Sequence, residues 1–505
     1  MDIFMKKIRL VNFKIFEDET IPCNKEMNIF VGDNAMGKST ILQAIDIVLS
    51  GSITKVLAIG LENLINVRAV SEWINSPKLL ELPTMSVELF FEMPDLPKYA
   101  KYCGEKYLGG RNQSTYGIKM VCSTNAGLSE EIVASIREGR CDAFPFEFYE
   151  VNFSTFSGDY YSGYSKPCKF LYIDNTAINT SRALRYVIER AYQNAVEETD
   201  RASTQYDFRQ HVSKFQLPQS AIDKNLTVIG DLTSCLDIKE AGVRLENCGE
   251  GKISICKTDS ALDKRSDGVS ILALEEPENH LSHHNLRHLI FMVKNRAENR
   301  QMFIVTHNSY ITSRLGLRNT FFVNKGIVLP LVGLSDDTGA FFMKAPNDNL
   351  LQFVLSQKVL LVEGAAEYIL MDKFFTEVTG RDAVTLGIWI MALNNLSFKR
   401  YLEVGKLLDI KVAAVRDNDG TPKTWYEDMQ SDRRKVFSDP LKDRWTFEVC
   451  LYQDNKDVLD SIFHNQESVL DYMLAHKAEA AYQILKANQE LVVPQYIKEA
   501  IEWLM

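Results

Sequence analysis

Paired cysteines at metal-binding spacing, long apolar runs and any excess of positive charge are all missing from this 505-residue chain. Its nine cysteines stand singly, with no C-x-x-C among them, so neither a disulfide framework nor a zinc ribbon is indicated. No stretch reaches the roughly 18 uninterrupted apolar residues of a membrane span. The opening MDIFMKKIRLVNF has no apolar core of the kind a signal peptide carries. A soluble, cytoplasmic protein without a membrane partner is the expectation. Lys and Arg number 57 against 67 Asp and Glu, a formal net charge of −10. This balance excludes a surface carpeted in positive charge, yet it allows a local basic groove for nucleic acid. With 46% apolar and 25% charged residues, the composition is that of a folded globular protein, and the length suggests about three domains.

Residues Lys7 to Phe13 alternate polar and apolar side chains as a half-buried strand does. Met27–Val31 and Met85 to Met93 read as further strands. From 94 to 174, glycine and aromatic residues crowd together (YLGGRNQSTYG, STFSGDYYSGYSKP), the texture of an inserted, loop-rich β segment. Helical periodicity with mixed charge runs from 179 to 215, a hairpin that is either core or subunit contact. Short apolar strands then alternate with helices at 271–274, 302–305, 358–362 and 410–415, which predicts parallel α/β layers. The expected division is 1–93, 94–225, 226–347 and 348–505, with a linker near 345–349.

Gly32-x4-Gly37-Lys38-Ser39 fits the Walker A pattern between a strand and a helix. Glycines let successive N–H groups point at phosphate oxygens, and the helix adds the positive end of its dipole. Gly32, Asn34, Gly37, Lys38, Ser39 and Thr40 are the candidate ATP contacts, with Lys38 on the β- and γ-phosphates and Ser39 on Mg²⁺. LALEEPENHL supplies acids at another strand end: Glu275 for the Mg²⁺ shell and Glu276 to polarise the attacking water. His307, ending the next strand, is placed to sense a γ-phosphate. His280, His283, His284 and His288 share a helical face, but no nearby carboxylate or cysteine completes a zinc set.

A second acidic centre follows. Glu363-Gly364-x-x-Glu367 and Asp417-x-Asp419-Gly420 each come at the end of an apolar strand. Clustered carboxylates of this kind make a hard-oxygen site for Mg²⁺ or Mn²⁺, which can activate water and stabilise the leaving oxygen of a phosphodiester. Lys399-Arg400 and Arg433-Arg434-Lys435 either contact phosphates or are solvated surface.

The strand pair IRLVNFKIFEDETI, the Walker A loop, EEPENHL and VTHNS, in this order, resemble the ABC-type ATPase head of the SMC/RecF/OLD group. In that group heads dimerise, and a signature loop from one subunit closes the other's nucleotide. Cys248-Gly249-Glu250-Gly251-Lys252 stands at the signature position, so Gly249 and Gly251 become cofactor contacts. The C-terminal acids resemble the TOPRIM fold in its OLD (overcoming lysogenization defect) version. On that resemblance Glu448, in Thr446-Phe447-Glu448, is a further acid of the centre, and Lys477, in HKAEA, neutralises transition-state charge. Asn394-Asn395 departs from it, since relatives carry glycine there. The resemblance implies an α/β ABC-type head followed by a TOPRIM domain, acting as an ATP- and metal-dependent endonuclease on DNA and assembled at least as a homodimer. The alternative is a non-nuclease, SMC/RecF-like DNA-binding ATPase in repair. OLD-type nucleases act alone, beside a helicase-like partner in Gabija-type anti-phage systems, or with a reverse transcriptase and its reverse-transcribed DNA in retrons; all three settings remain open.

Overall fold

In a computed structural model of the chain, strand β1 (Phe4–Phe13) buries Ile8 and Leu10 on one side, following its alternating pattern, and also buries Phe13 at its end. It pairs antiparallel with β2 (Phe16–Pro22). The structure describes residues 3–78, 82–108, 111–138, 143–176, 192, 196–213, 239–240, 243–244, 249–262, 269–296, 300–344, 350–394, 397–420 and 426–505. The chain divides into two compact units, Met1–Leu315 with Asn319–Pro330, and Gly316–Arg318 with Leu331–Met505.

In the first unit β3 (Met27–Val31) leads through the glycine loop into α1 (Lys38–Ser50). Helix α1 is covered nearly all round, with only Ser39 of its thirteen residues exposed. Ile41, Leu42, Ile45 and Val48 share one core with Ile8, Leu89 and Ile118 from one sheet and with Ile271, Phe303 and Val305 from another. The first sheet continues through β4 (Met85–Glu92), β5 (Cys103–Leu108), β6 (Arg111–Thr124) and β7 (Tyr149–Thr155), in the order β2-β1-β4-β6-β5 with β7 also on β6. The glycine- and aromatic-rich segment is therefore continuous with the sheet of the N-terminal lobe: β6 pairs with β4 from Met85↔Cys122 to Phe91↔Tyr116. Gly117 is where this sheet needs glycine, since a Cβ there would meet the Phe156 ring at 2.2 Å.

The second sheet contains β8 (Lys169–Asp174), and a two-residue pair, β9 (Lys239–Glu240) with β10 (Val243–Arg244), stands apart. The second sheet is completed by β11 (Val269–Glu275), β12 (Gln301–Val305), β13 (Thr320–Asn324) and β14 (Ile327–Pro330), in the order β14-β13-β3-β12-β11-β8. All its pairings are parallel except β13 with β14. Most of the segment 179–215 lies outside the described residues; within it the helix Glu198–Ser213 is described.

The second unit is built on a four-stranded parallel sheet of β15 (Lys358–Val362), β16 (Ile388–Ala392), β17 (Lys411–Val415) and β18 (Arg434–Phe437), ordered β16-β15-β17-β18. Val359–Val362 and Val412–Val415 are continuously buried, the mark of strands covered on both faces. Helices Ala365–Thr379, Lys477–Ala487 and Gln495–Leu504 contribute to its core. Among the described residues no helix is long and apolar enough to cross a membrane.

Candidate functional site

Two clusters of chemistry form where parallel strands end, one in each unit. In the first, Gly37 takes φ 106°, a conformation a side chain would strain, and a Cβ there would also meet Ile15 at 2.8 Å. Gly32 is required for a different reason, as its Cβ position lies 2.2 Å from the Val323 carbonyl oxygen on β13. Between these two points the loop folds over Lys38, which is 5% exposed. Its Nζ donates to the carbonyls of Gly32 and Asp33, each at 2.7 Å. Burial pushes the Lys38 proton affinity below the ordinary lysine value, and Glu276, Asp33, Glu278 and Glu275 pull it back up. Asn34 and Ser39 are exposed and Thr40 half-buried.

Parallel pairing carries β11 and β12 to the same edge. Glu275 is buried at the end of β11 and accepts a hydrogen bond from the Tyr172 hydroxyl of the neighbouring β8. Burial and this carboxylate push the Tyr172 phenol well above its usual range. Glu276 turns into the left-handed region at φ 41°, with its N–H on the Val305 carbonyl at 2.8 Å. Its carboxylate accepts from Asn279 Nδ2 at 2.9 Å and faces His307 Nδ1 at 3.5 Å. The chain thus brings Lys38, Glu275, Glu276 and His307 into one neighbourhood. Sequence reasoning passed over Glu278, the third acid of EEPEN. Glu278 is buried, accepts from the Thr306 hydroxyl and the His307 N–H, and has its proton affinity raised, chiefly by burial.

Gly249 and Gly251 stand at the start of the helix Glu250–Leu262. A Cβ on Gly251 would meet the His280 carbonyl oxygen at 2.3 Å, and His280 Nδ1 pairs with Glu250 at 2.8 Å. Of the remaining histidines, His283 stacks on Tyr310 with ring centres 5.3 Å apart.

In the second unit the acids gather at the ends of β15 and β17. Glu363 follows β15, and Gly364 lets the carboxylate of Glu367 fold back, since a Cβ there would lie 3.2 Å from its Oε2. Asp419 and Gly420 both adopt positive φ, 50° and 72°. Asn418 between the two aspartates holds this turn. Its Oδ1 accepts from the Gly420 N–H at 2.7 Å, while its Nδ2 donates to the carbonyls of Asp439 and Leu441, each at 2.8 Å. Asp417 Oδ1 accepts from the Phe447 N–H at 2.8 Å, and the Asp419 N–H donates to the Trp445 carbonyl at 3.1 Å. These bonds tie the aspartates to Thr446-Phe447-Glu448, where Thr446 caps the helix Phe447–Asp454. Glu448 is 3% exposed and accepts from Lys477 Nζ at 2.9 Å.

Glu367 and Asp417 feel the crowding most. Burial, then Glu448 and Glu363, raise the Glu367 carboxyl to about 7. Burial, then Glu363, Glu367 and Glu448, raise Asp417 to about 8, with Lys477 pulling the other way. Burial opposes the Lys477 ammonium, yet its bond to Glu448 and the charges of Asp417 and Glu367 strengthen its hold on the proton. Carboxylates that repel one another this strongly attract a cation, and an all-oxygen donor set suits Mg²⁺ or Mn²⁺. Among the described residues, however, no three His, Cys, Asp or Glu side chains converge closely enough to enclose a metal. Each acid has another claim on it: Asp417 serves the Phe447 N–H, Glu448 holds Lys477, and Glu363 and Asp419 flank Arg416 at 3.7 Å each. Asn394 adopts φ 47° and donates its N–H to the Glu363 carbonyl at 2.9 Å; asparagine tolerates this left-handed conformation. Of the basic pairs, Arg400 reaches Asp337 at 2.8 Å and Arg433 reaches Asp409 at 3.2 Å.

Divalent ions bind the ionised carboxylates, so binding must expel the protons that Asp417 and Glu367 retain near neutral pH. Mn²⁺ affinity is expected to rise from about pH 6 by roughly tenfold per unit for each proton displaced. It should level off once the pH passes the Asp417 value of about 8. Paramagnetic resonance titration of free Mn²⁺ measures this, and an affinity flat across that window would show that these two carboxyls are not ligands.

Comparison with known proteins finds a domain match in each unit. Residues 4–95 match the family model of an AAA ATPase domain, and residues 354–419 match that of the overcoming lysogenization defect protein-like TOPRIM domain. A stretch of 49 residues is 41% identical to the DNA replication and repair protein RecF of Acetivibrio thermocellus. The match takes in 10% of this chain and spans only 13% of that protein's length. Among solved structures, RecF with ATP is 12% identical, covering 65% of this chain and 99% of that one at a TM-score of 0.35. The SMC head domain from Thermotoga maritima is 15% identical, with 65% and 99% covered at a TM-score of 0.32. The chain thus carries a match to an AAA ATPase domain near its N-terminus and a match to an OLD-like TOPRIM domain further on. The two matches agree with the resemblance of the sequence to OLD-family ATPase–TOPRIM proteins.

Proposed function

We propose that this chain is an ATP-hydrolysing, divalent-metal-dependent DNA endonuclease, in which the state of the ATPase head controls cleavage by the TOPRIM centre. The carrying observation is the gathering of the buried acids Glu367, Asp417 and Glu448 at the strand ends of the second unit, with Lys477 bonded to Glu448, in a chain that also carries a glycine loop folded over Lys38. In this reading residues 1–93 and 226–347 form the ATPase, 94–225 the intervening segment and 348–505 the nuclease. Glu363, Glu367, Asp417 and Asp419 would hold Mg²⁺ or Mn²⁺ once drawn together by the ion, with Glu448 assisting. When bound, the ion activates water and stabilises charge on the leaving oxygen. Lys477 presents its ammonium to the phosphate, where negative charge develops.

At the ATPase centre Lys38 and the loop amides bind the phosphates, Ser39 and Glu275 hold Mg²⁺, and His307 reads the γ-phosphate. Glu276 orients the attacking water. Glu276→Gln is expected to bind ATP and hydrolyse it slowly; phosphate release at the wild-type rate would remove that role from Glu276. Gly249 and Gly251 complete the nucleotide site of a second copy, so the working form is a homodimer or larger. A role in cytoplasmic anti-phage defence accompanies this reading, alone or beside a helicase-like protein or a reverse transcriptase with its DNA.

The test is cleavage of supercoiled plasmid in Mg²⁺ or Mn²⁺ across an ATP titration, with phosphate release followed in parallel. Metal-dependent nicking that chelator abolishes is the expected result. ATP hydrolysis with no cleavage in either metal, at any ATP concentration, would favour a DNA-binding ATPase instead.

A further inference from the structure

Glu278, three residues past Glu275 at the end of β11, is only 8% exposed. Its contacts gather on one oxygen. Oε1 accepts from the Thr306 hydroxyl and from the His307 N–H at 3.1 Å, and it lies 3.6 Å from His307 Nδ1. Oε2 is buried with no hydrogen-bond partner among the described residues. Keeping half a carboxylate unsatisfied away from water is costly, and a neutral side chain could hold Thr306 without that cost. What singles out this acid is that it meets His307 at both its backbone and its ring. The surrounding turn is fixed from β3, the strand that enters the phosphate loop. The Thr306 N–H donates to the Phe30 carbonyl at 3.1 Å, and the Thr306 hydroxyl accepts from the Asn308 N–H at 2.9 Å. His307 Nδ1 also lies 3.5 Å from Glu276 Oε1, and the His307 side chain is 51% exposed. With Nδ1 turned toward both carboxylates, Nε2 on the far side of the ring points away from them.

We propose that Glu278 is a positioning residue for ATP hydrolysis, holding His307 with Nδ1 toward the acids and Nε2 presented to the γ-phosphate. The inference rests on the reading of this cluster as the ATPase centre and adds the residue that orients its histidine. The hydrogen bond made by one imidazole nitrogen decides which nitrogen carries the proton and how the ring stands. Glu278 itself touches no nucleotide in this account. ATP affinity, set by Lys38 and the loop amides, should therefore change little when Glu278 is altered. Turnover should fall, because a ring that swings away loses its bond to the charge that develops on the transferring phosphate.

A double-mutant cycle on phosphate release by the full-length protein tests this, with affinity for a non-hydrolysable ATP analogue measured alongside. His307→Ala and Glu278→Ala are each expected to lower kcat about 10- to 100-fold, the loss typical when a group that orients a ligand is removed. Analogue affinity should stay within about threefold of wild type in both, since only transition-state contacts are lost. The double variant should be no slower than His307→Ala alone, because Glu278 acts through that ring. Glu278→Gln, which keeps an acceptor for the His307 N–H and the Thr306 hydroxyl, should restore most of the rate. Losses that multiply in the double variant overturn the inference. So does a Glu278→Gln protein with wild-type circular dichroism that is as slow as His307→Ala. If Glu278→Ala fails to fold, Glu278→Asp closes the same cycle, since it keeps the charge but withdraws it from His307 by one methylene. Phosphate release at the wild-type rate by His307→Ala is a different failure: it strikes the reading of His307 at the ATPase centre, and the inference falls with it.

Discussion

Asp417→Ala is expected to abolish DNA cleavage while ATP hydrolysis stays within about twofold of wild type. Changes merely to groups that orient metal ligands cost roughly 10- to 100-fold in affinity or activity, so removing the central carboxylate should cost more than about 100-fold. Asp417 belongs to the second compact unit, whereas Lys38, Glu275 and Glu276 belong to the first. Asp417→Asn refines the test, because it deletes the charge but keeps an acceptor for the Phe447 N–H now at 2.8 Å. The Asp417 carboxyl is raised to about 8 in the folded protein, from an ordinary value near 4. Its ionisation therefore destabilises the metal-free fold, beginning as pH rises past the unfolded value and complete above about 8. In chelator at about pH 8.5, Asp417→Asn should melt at or above the wild-type temperature, and the difference should shrink toward about pH 5. Cleavage by either variant at the wild-type rate would mean that the TOPRIM unit is not the nuclease.

The residues that carry these expectations differ in how openly the sequence displays them. Phosphate loops impose constraints on neighbouring residues, so Gly32, Gly37 and Lys38 were legible as a string, and the structure supplies the reason for each glycine. The same holds for Glu363, Glu367, Asp417 and Asp419, since a strand that ends in an acid can be read locally. Arg416 could not be read this way. It is one letter before a motif, and its meaning comes from Glu363, more than fifty residues earlier in the chain. Asn418 is similar, looking like a spacer until its bonds to the carbonyls of Asp439 and Leu441 are seen. Tyr172 acquires its role only because β8 pairs with β11 across a hundred residues. The β segment after residue 94 looked separate because composition records texture, whereas sheet membership depends on register with β4.

Glu278 marks the boundary between the two cases. It was visible in EEPEN, and an acid at that position reads as a solvated helix start. Its burial against Thr306 and His307 instead makes it part of the wall that carries His307. Local motif and remote packing thus supply different halves of this neighbourhood, the first the glycine loop over Lys38 and the second the support for His307.

Lys38→Ala should eliminate tight ATP binding, with the dissociation constant rising about 100-fold or more. A charge-assisted hydrogen bond contributes roughly 1.5–3 kcal/mol, and the reading gives Lys38 both the β- and γ-phosphates. Its ammonium is held by the Gly32 and Asp33 carbonyls, both at 2.7 Å. Nucleotide must draw the ammonium toward its phosphates, and burial, which lowers the lysine's proton affinity, favours any anion that restores its partners. Deleting the side chain removes this exchange and also leaves two loop carbonyls without their donor, so loop geometry should loosen as well. Lys38→Arg separates these effects: it keeps the charge but brings a planar group where a compact one is enclosed, and binding should still fall. Calorimetric titration with a non-hydrolysable ATP analogue measures both variants, and wild-type affinity in Lys38→Ala would rule out the loop as the nucleotide site. In the plasmid assay Lys38→Ala should keep its Asp417-dependent Mn²⁺ binding and lose only the response of cleavage to ATP. The metal acids lie in the other unit, and their chemistry requires a divalent ion and water but no nucleotide.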